Sequence, residues 1–133
     1  MIVVDSTVWI DHLNDDPTPQ VIWLRDTILA RRALLIVGDL VLCEVLQGLS
    51  SEHEAARVEQ ALRRFQVVSL AGPDIAIRSA AHYRDLRRRG ITVRKTIDML
   101  IGTYCIEHRH ALLHSDRDFD HLERHLGLDV IHP

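Results

Sequence analysis

"MIVVDSTVWIDHL", residues 1–13, sets three apolar residues, Ile2, Val3 and Val4, directly ahead of a carboxylate, Asp5. The apolar triplet predicts a short buried strand. An acid at the end of such a strand is costly, because a buried charge without a partner loses its hydration. Alone, Asp5 has a simple use as the cap of a helix running through "TVWIDHL". Whether it has a second use depends on where the other acids fall.

Apolar segments of two lengths alternate along the rest of the chain. Short runs predict further strands at "ALLIVGD" (33–39), "QVVSL" (66–70), "ALLHSD" (111–116) and "DVIH" (129–132). Longer segments predict helices at 18–32, 40–49, 52–65, 75–89, 97–110 and 119–127. Ser51, Asp74 and Thr96 stand where helices open, and Gly90 stands where one closes. Strands alternating with helices imply βαβ units, hence one α/β domain over residues 1–133 with a mainly parallel central sheet and helices on both faces. Ligands bind beyond the carboxyl ends of the strands in such a sheet. The residues there are Asp5, Asp39 and Asp116.

The composition narrows the function classes. The apolar fraction is 47%, ordinary for a globular chain. No apolar run approaches the roughly 18 residues of a membrane span, and an acid at position 5 does not suit a secretory leader, so a cytoplasmic protein is expected. The two cysteines, Cys43 and Cys105, lie in apolar stretches without zinc-ligand spacing and read as buried thiols. Trp9 and Trp23 read as core. His108 and His110, two residues apart, cannot share a helical face and read as surface. The net charge of −3 does not advertise a polyanion partner. Locally, though, Arg84, Arg87, Arg88, Arg89, Arg94 and Lys95 crowd together. Most of these read as a solvated helix end, whereas Arg94 and Lys95 lie just ahead of Asp98, where a phosphate backbone could approach.

Two more acids stand out by context. Glu44 lies in "LVLCEVLQGL" (40–49), a helix apolar nearly all round and therefore expected to be buried. Asp98 lies in the first turn of the helix from Thr96. Each has a glycine four residues on, Gly48 and Gly102, read as room beside the carboxylate. Singly, these acids could cap, complement a helix dipole or pair with arginine. Together they would repel, by about 4 kcal/mol for a pair at 4 Å and an effective dielectric of 20. Either some keep their protons or a divalent cation neutralises them. Carboxylate ligands suit Mg²⁺ or Mn²⁺ rather than zinc. The matching chemistry is metal-assisted phosphodiester hydrolysis.

Four blocks, in this order, resemble the PIN-domain nucleases, and within them the VapC-type toxins of VapBC toxin–antitoxin modules. They are "VVDSTVWIDHL", "LVLCEVLQGL", "TVRKTIDMLIG" and "ALLHSDRDFDHL". The resemblance implies a PIN-like α/β/α sandwich and an Mg²⁺- or Mn²⁺-dependent endoribonuclease. It implies Asp5, Glu44, Asp98 and Asp116 as catalytic acids, with Asp5, Asp98 and Asp116 on the metal, Asp118 as a possible fifth acid, and Ser6 and Thr7 in support. It further implies an RNA substrate, a homodimer and inhibition by a VapB-type antitoxin. Two alternatives stand beside it: a catalytically inactive PIN-like module binding RNA or protein, and a receiver-like phosphoacceptor domain.

Overall fold

A computed structural model describes all residues 1–133. The first strand, β1 (Ile2–Val4), runs into α1 (Ser6–Leu13) with only Asp5 between them. There follow α2 (Pro19–Ala30), β2 (Leu35–Gly38), α3 (Asp39–Gln47), α4 (Glu52–Leu62), β3 (Gln66–Val68), α5 (Pro73–Arg88), α6 (Thr96–His108), β4 (Ala111–Leu113) and α7 (Asp118–Leu126). The strands form one parallel sheet in the order β3-β2-β1-β4. Val3 pairs with Ile36 on one side and Leu112 on the other, so β1 is central. The strands are short because β2 and β4, like most of β1, are buried, and such strands carry little besides apolar side chains.

The chain steps from β1 to β2 to β3 in one direction, then returns across the sheet to β4. Right-handed crossovers place the two kinds of connection on opposite faces. The helices sort accordingly: α1–α4 contact one another, and α5–α7 contact one another. This is the expected α/β/α sandwich. Receiver domains have five strands in a different order, so the sheet rules that alternative out. The core between the layers is filled by Val3, Val4, Leu24, Ile36, Leu86, Met99, Leu112 and Phe119, all essentially inaccessible.

Several local expectations need correction. The strand expected at 129–132 is a single bridge, Val130 to Leu112, flanked by hydrogen bonds from Leu112 to Asp129 and from Ile131 to Leu112. Thr96 does not cap α6; Lys95 occupies that position without a side-chain cap bond. Cys43 is exposed and Glu44 only half-buried, because α3 presents one side to solvent despite its composition. Trp23 is partly buried at the core's edge, whereas Trp9 is buried. Gly102 leaves no room beside Asp98: a Cβ there would run into the Leu122 side chain, so the glycine lets α6 and α7 approach. Gly48 ends α3, with only the backbone of Glu44 and Val45 near its missing Cβ. Ser51 caps α4 as expected, accepting from Glu54 N–H at 3.1 Å.

Candidate active site

The reversal of chain direction beside β1 creates a crevice at the carboxyl ends of β1 and β4, the usual ligand position of an open α/β sheet. Asp5 stands at its floor. Its N–H bonds to Leu113 O (2.9 Å), continuing the β1–β4 ladder by one residue. Its backbone is extended, and its Oδ2 accepts from Thr7 N–H (3.2 Å) and Thr7 Oγ1 (2.6 Å). The simple capping use of Asp5 is therefore real. Only one of its oxygens is consumed by it, since buried Oδ1 has no hydrogen-bond partner.

Thr7 makes a second link. Its Oγ1 accepts from Ser115 N–H at 3.1 Å, tying the start of α1 to the loop after β4. Ser6 donates to Glu44 Oε1 at 3.2 Å, joining α1 to α3. Asp98 enters from the first turn of α6, 3% exposed, and its Oδ2 is also buried without a partner. Asp116 comes from the β4–α7 loop and Asp118 opens α7, the turn between them folding on itself as Asp118 N–H donates to Asp116 Oδ1 at 2.9 Å. Asp98, Asp116 and Asp118 each offer an oxygen within 4.8 Å of the others'. Asp5 and Glu44 lie outside that trio but are electrostatically coupled to it.

The energetics follow from burial and crowding. Burial, then repulsion from Asp5 and Asp116, pushes the Asp98 carboxyl up to about 7. Burial raises Asp5 against the pull of its Thr7 hydrogen bonds. Burial, then Asp5, raises Glu44. The nearby cation is Lys95, whose Nζ stands 4.0 Å from Asp116 Oδ2; Arg94 is exposed beside it. Asp39, expected among the strand-end acids, is used elsewhere: its Oδ1 accepts from Leu40 N–H (2.8 Å) and Leu70 N–H (3.0 Å).

The match of a family model to residues 2–125, that of the PIN domain, decides the family. The chain belongs to the PIN-domain family. Over 131 residues this PIN domain is 26% identical to ribonuclease VapC11 of Mycobacterium tuberculosis, covering 98% of this chain and 97% of the relative. Its fold is similar to that of FitAcB from Neisseria gonorrhoeae, with a TM-score of 0.75 at 20% identity, covering 100% and 98% of the two chains. It is also similar to VapBC2 from Rickettsia felis, solved bound to a promoter DNA fragment, with a TM-score of 0.74 at 17% identity and 98% of both chains covered. No helix of this PIN domain is long and apolar enough to cross a membrane.

The residue that sequence reasoning missed is His114, between β4 and Asp116. It is 7% exposed, packs on Phe119 with ring centroids 4.9 Å apart, and accepts Asp116 N–H on Nδ1 at 3.1 Å. A signal was available, a polar residue interrupting an apolar strand two positions before an acid. The more conspicuous histidine pair in the sequence is His108 and His110. Those two do lie at the opposite end of the sheet, where His108 stacks on Tyr104.

Proposed function

We propose that this chain is a metal-dependent endoribonuclease and the toxin of a toxin–antitoxin pair. The observation that carries the reading is the convergence of acids from separate elements on one crevice, with Asp5 Oδ1 and Asp98 Oδ2 buried and unpartnered. Buried carboxylate oxygens normally find donors. Two that do not, beside a three-carboxylate cluster, suit a hard dication such as Mg²⁺ or Mn²⁺. Asp98, Asp116, Asp118 and Asp5 are the residues that would hold it. Bound there, the ion supplies Lewis acidity toward a phosphoryl oxygen and toward a water nucleophile.

The chain's own residues do the rest. Thr7 and Ser6 each fix one oxygen of an acid, Asp5 and Glu44 respectively. In this reading Glu44, half-exposed and with a raised pKa, orients a water and accepts its proton. Lys95 and Arg94 stand at the rim, where an RNA backbone is drawn past the acids. The similarity to VapC11, named a ribonuclease, supports RNA as substrate. Likeness to chains solved in toxin–antitoxin complexes supports an antitoxin as partner.

Incubating the protein with RNA and Mn²⁺ or Mg²⁺ tests this. Cleavage stops in EDTA, and Asp5→Asn or Asp98→Asn lowers it by about 100-fold or more, the scale of losing one group that stabilises developing charge. Fragments that persist in both variants would sink the reading in favour of an inactive module and a contaminating nuclease.

A further inference from the structure

His114 is a buried polar group that the mechanism leaves unused. We propose that His114 is a positioning residue for the metal-binding loop, its Nδ1 acting as the acceptor that fixes Asp116 N–H and thereby aims Asp116 and Asp118 at Asp98. The role in metal capture rests on the nuclease reading; the hydrogen-bond geometry does not.

Ser115 N–H is held by Thr7 Oγ1, Asp116 N–H by His114 Nδ1, Asp118 N–H by Asp116 Oδ1 and Phe119 N–H by Asp116 O. Of these partners, Thr7 and His114 are the two side chains from outside the acids themselves. Thr7 fixes the loop to β1 and α1. His114 fixes the turn that points the Asp116 side chain, at a distance of 3.1 Å. A backbone N–H donates only to an unprotonated ring nitrogen, so the ring is neutral and carries its hydrogen on Nε2. That Nε2 is buried without a partner, 4.0 Å from Asp120 Oδ1, whose charge favours the same tautomer. A leucine would fill the space beside Phe119 equally well. It would leave Asp116 N–H without an acceptor. The orphaned Nε2 is thus the structural cost of placing an acceptor at Nδ1.

Two measurements test this without relying on cleavage. In wild-type protein labelled with ¹⁵N-histidine, long-range ¹H–¹⁵N correlation assigns the His114 tautomer, with His114→Asn identifying its signal. The Nε2–H form is expected, and a hydrogen on Nδ1 overturns the inference while leaving the nuclease reading intact. Second, Mn²⁺ affinity is read by paramagnetic resonance of free Mn²⁺ in wild type, His114→Asn and His114→Gln. Asparagine places an oxygen near the Nδ1 position and glutamine near Nε2. His114→Asn therefore keeps an affinity close to wild type, and His114→Gln loses about 10-fold or more, as removal of a ligand-orienting partner does. Equal affinities in all three, or equal losses in both variants, overturn the inference. A wild-type chain that binds no Mn²⁺ overturns the nuclease reading and, with it, the metal half of this one. Melting temperatures without metal show whether each variant is folded, and the tautomer decides if neither is.

Discussion

At the scale of the residue, the site is governed by Asp98. Its carboxyl, held near 7 by burial and by its acidic neighbours, has a pKa above the unfolded value of 3.8. The folded state therefore binds more protons than the unfolded state between those values. Stability contributed by this group is present at low pH and is lost as pH rises toward and through 7, by at most about 1.4 kcal/mol per pH unit. In EDTA the fall in melting temperature due to Asp98 should run from about pH 4 to 7 and level off above that. Asp98→Asn should flatten that fall, whereas a wild type as insensitive as the variant would show that the acids do not crowd. His114 acts oppositely, since burial lowers its pKa and costs stability only below its ordinary value, so the difference between wild type and Asp98→Asn isolates the carboxylate. A dication competes with the same proton, so Mn²⁺ binding tightens across this range.

At the scale of the element, close approach decides where glycine is needed. Gly38 has an ordinary extended backbone at the end of β2. A Cβ there would run into the buried Leu70 side chain, so Gly38→Ala is expected to destabilise by about 1–3 kcal/mol through overpacking. Ser51→Ala should cost about 1 kcal/mol by removing the cap of α4. Denaturant midpoints at an unchanged slope check both. The same scale explains what was legible in the sequence. The strands β1, β2 and β4 were readable because their burial on both faces leaves only apolar residues. The caps at Ser51 and Gly90 were readable because the backbone needs there are local; Gly90 adopts a φ of +81°. The exposure of Cys43 and Glu44 was not, because a short apolar helix carries no mark of which side lies at the molecule's margin. Nor was the true use of Gly102, which depends on Leu122, a residue from another helix.

At the scale of the whole molecule, the acids were legible in order but not in arrangement. Asp5, Glu44, Asp98 and Asp116 stood out by context, yet the trio that packs most closely includes Asp118 in place of Asp5. The turn from 114 to 118 makes that choice, and a turn held by long-range bonds from Thr7 leaves no periodic trace. Charge is also distributed at this scale. The chain carries −3 overall, so on the proposed reading RNA capture is expected at the basic rim near Arg94 and Lys95. In an Asp98→Asn background that does not cleave, Lys95→Ala should weaken binding alike for different RNA sequences. It should also reduce the slope of log affinity against log salt by about 0.7, the value for one contact with a single strand. An unchanged slope would place the contacts elsewhere.

The central position of β1 bears on when the site is completed during synthesis. The strand made first must wait for β4, its neighbour from residues 111–113, before its second edge is covered. Asp5 likewise waits for Asp116 and Asp118 from the last part of the chain. Pairing partners this distant in sequence form late. The nascent polypeptide therefore lacks the assembled acid cluster until translation is nearly finished, and a product truncated ahead of β4 cannot assemble it.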